Sequence, residues 1–287
     1  MTPNNEALES LLRSRLQAAT YGPARLSEAL HWAVFPGGAR IRPRLCQAVG
    51  KATGAADALA VVPAAALELL HCASLVHDDL PCFDNAQIRR GKASVQSAFG
   101  ERLAVLAGDG LIVMAFELLA AELNRHELLG PLTSVVARSV STPNGIVAGQ
   151  AWECEEQVDL KAYHREKTGA LFAAATEAGA VAAGISDSQP WAVLGERLGV
   201  AYQVADDILD AAGRMEDVGK PVRQDSRFDR PNCVAEQGLC ASIQRLQMLV
   251  GKAIDSIPDC PGRAVLSRQI KAETTNMLPA RLAEIAA

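Results

Sequence analysis

Apolar side chains recur every three or four positions along most of the chain, with polar side chains between them. This spacing puts the apolar residues on one face of an α-helix, whereas a half-buried strand would alternate strictly. No convincing alternating run is present, so the pattern predicts an all-α fold. The predicted helical segments are 6–19, 26–34, 43–53, 56–77, 103–123, 145–156, 159–183, 192–210, 234–256 and 263–286.

The loops between these segments are short and are marked by Pro and Gly, with no linker and no internal repeat. We therefore predict one domain, 1–287. Several segments exceed 20 residues, which predicts a helix bundle around a central cavity or a tight seam. Residues 170–184 are nearly all small, and either close helix packing or one wall of a pocket would explain them.

Composition supports the helical prediction. Of 287 residues, 49% are hydrophobic and 51 are alanine, but only 12 are aromatic. Alanine is the best helix former, and all-β folds need β-branched and aromatic residues. The seven cysteines are odd in number and form no Cys-x-x-Cys pair, so neither a zinc site nor a disulfide framework is expected. A cytoplasmic protein is the expectation.

With a net charge of -5, the chain lacks the excess of basic residues that is typical of nucleic-acid-binding proteins. The most apolar stretch, 103–123, is interrupted by Asp109 and Glu117, so no stable membrane insertion is expected. The first residues lack the basic and then apolar order of a secretory signal, and the whole chain is taken as mature.

Two groups of carboxylates follow apolar helical segments. In the first, Asp78 and Asp79 are followed by Asp84, and Pro81 between them cannot continue a regular helix. If Pro81 and Cys82 bulge outward, Asp84 takes the place of a residue four positions after Asp78. Solvated helix ends would explain one such group, but two within apolar helices indicate a shared site.

In the second group, Asp206 and Asp210 stand four apart and share one helix face, where their charges repel. A divalent cation would resolve the repulsion, and carboxylate oxygens select Mg²⁺, which completes its shell with water and phosphate oxygens. Two facing groups would hold a diphosphate, whose remaining charge requires cations. The candidates are Arg40, Arg42, Arg89, Arg90, Lys167 and Lys220.

At these positions the chain resembles the trans-polyprenyl diphosphate synthases, and most closely the geranylgeranyl diphosphate synthases of bacterial carotenoid pathways. The resemblance runs from about residue 30 to about residue 235. Its motifs are Gly37-Gly38-x-Arg40-x-Arg42-Pro43, His71, Asp78-Asp79-x4-Asp84, Arg89-Arg90-Gly91, Gly149-Gln150, Lys167-Thr168-Gly169, Gln203, Asp206-Asp207-x2-Asp210 and Gly219-Lys220.

The resemblance implies a homodimeric isoprenoid synthase fold that joins isopentenyl diphosphate to allylic diphosphates. It implies three Mg²⁺ per site, with Mn²⁺ as an alternative ion. The implied metal ligands are Asp78, Asp84 and Asp206, supported by Asp79 and Asp210. The implied allylic diphosphate contacts are Arg89, Lys167 and Lys220; the implied isopentenyl diphosphate contacts are Arg42, His71 and Arg90. Thr168 and Gln203 would orient the diphosphate, face the cation or simply bond within the core, and Arg230 keeps a positive charge where a lysine is usual.

Product length depends on cavity depth. Ala73 lies five residues before Asp78 and is followed by Ser74; in the family an aromatic residue at the first of these positions stops growth at fifteen carbons. The small pair therefore predicts geranylgeranyl diphosphate as the product, and predicts that Ala73→Tyr shortens it. An ordinary packing role for Ala73 is the alternative.

Three positions depart from the family pattern, namely Ala39, Gln96 and Gln224, and the first replaces a lysine that usually contacts isopentenyl diphosphate. Three other functions are consistent with parts of the pattern. They are farnesyl diphosphate synthesis, a non-catalytic subunit of a prenyltransferase, and terpene cyclisation. A silent subunit should lose metal carboxylates, and a cyclase has no need for cations at a second diphosphate.

Overall fold

The computed structural model describes residues 3–35, 38–213, 232–275 and 277–283. The all-α prediction is confirmed. Its helices are α1 (Pro3–Ala18), α2 (Ala24–Val34), α3 (Ile41–Thr53), α4 (Asp57–Asp78), α5 (Val95–Phe99), α6 (Glu101–Glu122), α7 (His126–Val140), α8 (Ile146–Ala151), α9 (Leu160–His164), α10 (Ala170–Ala182), α11 (Gln189–Ala212), α12 (Cys233–Gln237), α13 (Leu239–Asp255), α14 (Arg263–Thr275) and α15 (Ala280–Ala283). A π-helical turn, Arg165–Gly169, connects α9 to α10.

The periodicity missed a small hairpin. Strand β1 (Ile88–Arg89) pairs antiparallel with β2 (Lys92–Ala93). The two residues between them, Arg90 and Gly91, have φ angles of 53° and 76°. Positive φ at both central positions is the conformation of a tight hairpin turn, which favours glycine at the second position. Two-residue strands are too short to produce a visible alternation.

The helices differ from the prediction in several places. Helices α5 and α7 were not predicted, and α8 ends at Ala151, before the end of the predicted segment 145–156. The predicted segment 234–256 is two helices, which meet at Gly238 with φ 85°. The last predicted segment is also divided, since α14 ends at Thr275 and α15 starts after Pro279.

Helix α4 is the centre of the main core, where it packs against α3, α6 and α10. Both α4 and α6 are long and apolar enough to cross a membrane by length and composition alone. However, 72% of the apolar window of α4 is buried inside the fold. That burial is typical of a core helix.

The small residues of α10 allow close packing. A Cβ added at Gly179 would lie 2.3 Å from the Cys46 carbonyl oxygen of α3, and one at Gly195 would lie 2.3 Å from the Phe172 carbonyl oxygen. Residues 170–184, all of which are described, contribute nothing to the wall of the main cavity. Close helix packing is therefore the correct one of the two interpretations of this tract.

Helix α11 connects two hydrophobic clusters. Leu194 and Leu198 belong to the main core, whereas Val204 and Ile208 belong to a smaller cluster with α12, α13 and the C-terminal segment. One face of α11 is thus fixed along its whole length. Asp206, between Val204 and Ile208, is held at the cavity that the end of α4 also lines.

Candidate active site

A cavity of about 570 Å³ lies between α3, α4, α8, the π-helical turn and α11, with Glu273 and Met277 from the C-terminal segment also in its wall. Its wall contains carboxylates from both predicted groups, Asp78 and Asp206. Cationic side chains line the same cavity. The volume is within the range of small-molecule sites.

The first carboxylate group forms as its spacing predicts. Asp78 is the last residue of α4, and the backbone N–H of Asp84 donates to the Asp78 carbonyl at 3.0 Å. Pro81 and Cys82 are exposed on the outside of this loop. The outward bulge therefore brings Asp84 back to Asp78, as an uninterrupted helix would bring the residue at i+4.

A third carboxylate, Glu153, completes this group. One oxygen from each of Asp78, Asp84 and Glu153 lies within 4.8 Å of the other two, which is close enough to hold a metal ion. Gln150 connects them, because its Nε2 donates to Asp78 Oδ1 at 2.9 Å and to Glu153 Oε2 at 3.3 Å. Oxygen donors of this kind suit Mg²⁺. We name Asp78, Asp84 and Glu153 the acidic group.

Lys167 extends into the acidic group from the π-helical turn. Its Nζ donates to Glu153 Oε1 at 2.5 Å and lies 3.4 Å from Asp78 Oδ1. Burial alone would lower the pKa of Lys167, but Asp78, Tyr163 and Glu153 outweigh it and raise the pKa. Lys167 is therefore a permanent cation beside the carboxylates.

The close approach of α8 to the π-helical turn depends on a glycine. A Cβ at Gly149 would lie 2.2 Å from the backbone nitrogen of Lys167, so no larger residue fits. This contact fixes Gln150 and Lys167 relative to one another. Such single π-helical turns are frequent at functional sites because they change the direction of nearby side chains.

Arg89 is held by the second aspartate of the first motif. Its Nε and Nη2 donate to Asp79 Oδ1 at 3.0 and 2.5 Å, and Nη2 lies 3.7 Å from Asp78 Oδ2. Asp79 is 2% exposed, and burial raises its pKa although Arg89 opposes this. Asp79 therefore positions Arg89 and is not a member of the acidic group.

A second set of polar side chains lines the cavity beside α3. Arg42 Nη1 lies 3.4 Å from His71 Nε2, and the Arg42 guanidinium carbon is 4.6 Å from the centre of the Phe172 ring. Burial lowers the pKa of His71 well below 6.5, and Arg42 and Arg90 lower it further. His71 is therefore neutral. Arg42 Nε is buried and has no hydrogen-bond partner in the described part of the chain.

Arg90, in the turn of the β1–β2 hairpin, lines the same cavity as Arg42 and His71. A Cβ at Gly38 would lie 2.9 Å from Arg90 Nε, so this glycine allows the guanidinium to approach the cavity wall. We name Arg42, His71 and Arg90 the basic group. Two arginines and a neutral histidine thus line one cavity, and arginine side chains are suited to contact phosphate oxygens through two hydrogen bonds.

Arg40, a candidate phosphate contact, has a structural role instead. Its Nε donates to Glu9 at 2.9 Å, Nη1 to Glu68 at 2.5 Å and Nη2 to the Val34 carbonyl at 3.0 Å. Its side chain is 2% exposed. Each of its three nitrogens thus has a partner, and together they join α1, α2 and α4 to the start of α3.

The second carboxylate group divides into three roles. Asp206 lines the cavity, whereas Asp210 is 7% exposed and is not a wall residue of the described cavity. Asp207 points the other way: its Oδ2 accepts from the Cys233 N–H at 3.0 Å and its Oδ1 accepts from Gln203 Nε2 at 2.9 Å. Gln203 in turn accepts from Thr168 Oγ1 at 2.8 Å. Thr168 and Gln203 are thus hydrogen-bonded to each other in the cavity wall.

A family model described as "Polyprenyl synthetase" matches residues 23–259. The chain belongs to the polyprenyl synthetase family. It is 51% identical to a geranylgeranyl diphosphate synthase of Cereibacter sphaeroides over 91% of both chains, and 50% identical to one of Rhodobacter capsulatus over 93% of both. Among solved structures, a geranyltransferase of Helicobacter pylori complexed with magnesium and isoprenyl diphosphate has a TM-score of 0.77 at 28% identity, covering 96% of this chain and 97% of that one.

Family membership agrees with the residues that the fold brings together. Most of the predicted site residues line the one cavity: Arg42, His71, Ser74, Asp78, Arg89, Arg90, Lys167, Thr168, Gln203 and Asp206. Asp84 joins them through the acidic group. Lys220, Gln224 and Arg230 lie outside the described residues.

The role of Ala73 as the cavity floor stays a prediction. Ala73 is 1% exposed within the main core and is absent from the described cavity wall, whereas Ser74 lines it. Ala73 lies four residues before His77, whose ring packs against Gly108, so its side of α4 faces α6. Ser74 is therefore the member of the predicted pair that lies in the cavity wall.

Sequence reasoning missed Glu153. Its signal is its position three residues after Gln150, within the segment that follows the Gly149-Gln150 motif. Residues three apart on a helix share a face, so a carboxylate there meets whatever Gln150 meets. Two of the departures from the family pattern lie in the described residues. Gln96 Nε2 donates to the Ala86 carbonyl at 3.1 Å, next to the hairpin. Ala39 lines the cavity.

Proposed function

We propose that this protein is a Mg²⁺-dependent prenyltransferase that condenses isopentenyl diphosphate with an allylic diphosphate and makes geranylgeranyl diphosphate. One observation carries the proposal. The acidic group with Lys167 and the basic group lie at a single cavity, so two diphosphates have separate and chemically different contacts. The names of the relatives from Cereibacter sphaeroides and Rhodobacter capsulatus support the same product.

The acidic group fits a magnesium site. Asp78, Asp84 and Glu153 offer oxygen atoms within 4.8 Å of one another, and Asp206 approaches the cavity from α11. We propose that these carboxylates hold three Mg²⁺, with Mn²⁺ as an alternative ion. Bound Mg²⁺ would stabilise the negative charge that develops on a departing diphosphate.

Lys167 and Arg89 bind the allylic diphosphate and stabilise its charge as the bond to carbon breaks. Their positions are set in advance, because Glu153 holds Lys167 and Asp79 holds Arg89. Cations that are already oriented need no rearrangement in the transition state, which is where they accelerate the reaction. The electron pair of the C–O bond leaves with the diphosphate, and an allylic cation remains.

Arg42, His71 and Arg90 bind isopentenyl diphosphate and direct its double bond towards that cation. The double bond forms the new C–C bond, and the proton lost from the adduct passes to the departing diphosphate. No nucleophilic side chain is required. The growing apolar chain would lie against the part of the cavity wall that is formed by Ser74, Leu75, Ile146 and Leu209.

We also propose that the enzyme is a homodimer that uses α6 as its interface. Only 39% of the apolar window of α6 is buried inside the fold. Val105, Leu106 and Val113 are 42%, 52% and 58% exposed, and Val113 lies eight and seven positions, about two helical turns, after the other two. A second copy of the chain would cover this apolar surface. Val113→Asp should convert a dimer to a monomer in light scattering, and an unchanged mass would exclude this interface.

Incubation with Mg²⁺, isopentenyl diphosphate and starters of five, ten and fifteen carbons tests the proposed function. The expected product from each starter is geranylgeranyl diphosphate. Products that stop at fifteen carbons would indicate a farnesyl diphosphate synthase, and absence of product from every starter would indicate a non-catalytic subunit. Consumption of the allylic substrate alone would indicate a cyclase.

A further inference from the structure

The basic group carries little net charge for the ligand that it is proposed to bind. Within the described residues that line the cavity beside α3, the charge of Arg40 is offset by ion pairs with Glu9 and Glu68, and His71 is neutral. Arg42 and Arg90 remain, and Arg90 Nη2 lies 3.8 Å from the buried Glu68 carboxylate. A diphosphate carries more negative charge than these two arginines offset, so a further cation would strengthen binding.

Arg44 is such a cation. It lies in the wall of the same cavity, and its Nη1 donates to the Ala39 carbonyl at 3.1 Å. The alanine side chain at position 39 contributes no charge, but the hydrogen bond brings the Arg44 guanidinium to that position. Its side chain is 35% exposed, so it is accessible to a ligand that enters the cavity.

The partner of Arg44 is unusual for a site that binds anions. Arg44 Nη2 forms an ion pair with Glu273 of α14, and Glu273 also lines the cavity. The Glu273 side chain is only 15% exposed. A carboxylate in this position repels a phosphate and at the same time occupies the cation that the phosphate would use. The ligand and Glu273 are therefore alternative partners of one guanidinium.

We infer that Arg44 contacts the diphosphate of isopentenyl diphosphate and that this phosphate displaces Glu273. The inference rests on the proposed function, and it makes Glu273 a residue that sets affinity for the non-allylic substrate by competition. A merely structural ion pair between α3 and α14 would behave differently. In that case, removal of either partner would lower the stability of the fold, and the KM for isopentenyl diphosphate would change in the same direction in both variants.

The test measures KM for both substrates in Arg44→Gln, Glu273→Gln and the double variant. Loss of one charge-assisted hydrogen bond should raise the KM for isopentenyl diphosphate about tenfold in Arg44→Gln. Glu273→Gln should lower that KM about threefold, since the competitor is gone, and the double variant should match Arg44→Gln. The KM for the allylic substrate should stay within about twofold throughout, and Arg44→Lys should restore part of the affinity.

Arg138→Gln is the matched control, because Arg138 pairs with Glu177 at 2.9 Å on the surface and contacts neither substrate group. If the wild type elongates and the KM for isopentenyl diphosphate is unchanged in Arg44→Gln, or changes in the same direction in both single variants, the inference is wrong and the proposed function stands. If the wild type makes no product, both fail. Should Arg44→Gln not fold, the lower KM in Glu273→Gln decides alone.

Discussion

Glu153 provides the sharpest test of the acidic group, because the change Glu153→Gln removes one charge and preserves the size of the side chain. A carboxylate about 4 Å from a cation attracts it by about 4 kcal/mol at an effective dielectric constant of 20, and by about 1 kcal/mol in bulk water. The group is half-buried, and solvent screening reduces this to about 1.5 kcal/mol for attraction of a cation, which is about tenfold in affinity. We therefore expect the Mg²⁺ concentration for half-maximal rate to rise about tenfold.

Calorimetric titration of Mg²⁺ into the protein measures the same change without turnover. Glu155→Gln is the control, because Glu155 is exposed two residues further along the chain. Glu153→Asp should fall between the wild type and Glu153→Gln, since it retains the charge on a shorter side chain. An unchanged Mg²⁺ titration in Glu153→Gln would show that Glu153 only anchors Lys167 and Tyr163, and the three-carboxylate site would be refuted.

Three further changes test other parts of the account. Asp207→Ala should lower the free energy of unfolding by about 2–3 kcal/mol in urea titrations, because it leaves the Cys233 N–H and Gln203 amide without their buried acceptor; an effect equal to that of exposed Asp187→Ala would contradict this. Ser74→Phe should shift the product from twenty to fifteen carbons on chromatography, and an unchanged product would exclude Ser74 from the path of the chain. Between pH 7.5 and 5.5 the unfolded chain binds a proton at His71 that the folded chain does not, so acidification should destabilise the wild type by about 1 kcal/mol more than His71→Gln; equal losses in the two proteins would show that His71 is charged when folded.

Much of the site could be predicted from the sequence because its spacing is helical. The i+4 relation of Asp206 and Asp210 and the outward bulge at Pro81 follow from backbone geometry alone. Side-chain direction could not be predicted in the same way. Ala73 and Ser74 are neighbours on α4, yet one packs in the core and the other lines the cavity.

The roles of individual charges also required the fold. Arg40 and Arg42 are two residues apart in one motif, but the first has three partners and the second retains a donor without one. Two of these partners, Glu9 on α1 and Glu68 on α4, are distant in sequence. Nothing in the local pattern indicates which arginine is structural. The Arg44 pair with Glu273 is likewise visible only in three dimensions.

The central claim is that one cavity couples ionisation of an allylic diphosphate to attack by isopentenyl diphosphate. Release of inorganic diphosphate from farnesyl diphosphate, measured with Mg²⁺ in the presence and absence of isopentenyl diphosphate, tests this claim most directly. The account predicts one diphosphate released for each isopentenyl diphosphate consumed, a twenty-carbon product, and little release without the second substrate. Equal release in its absence, or no release in its presence, would contradict the account.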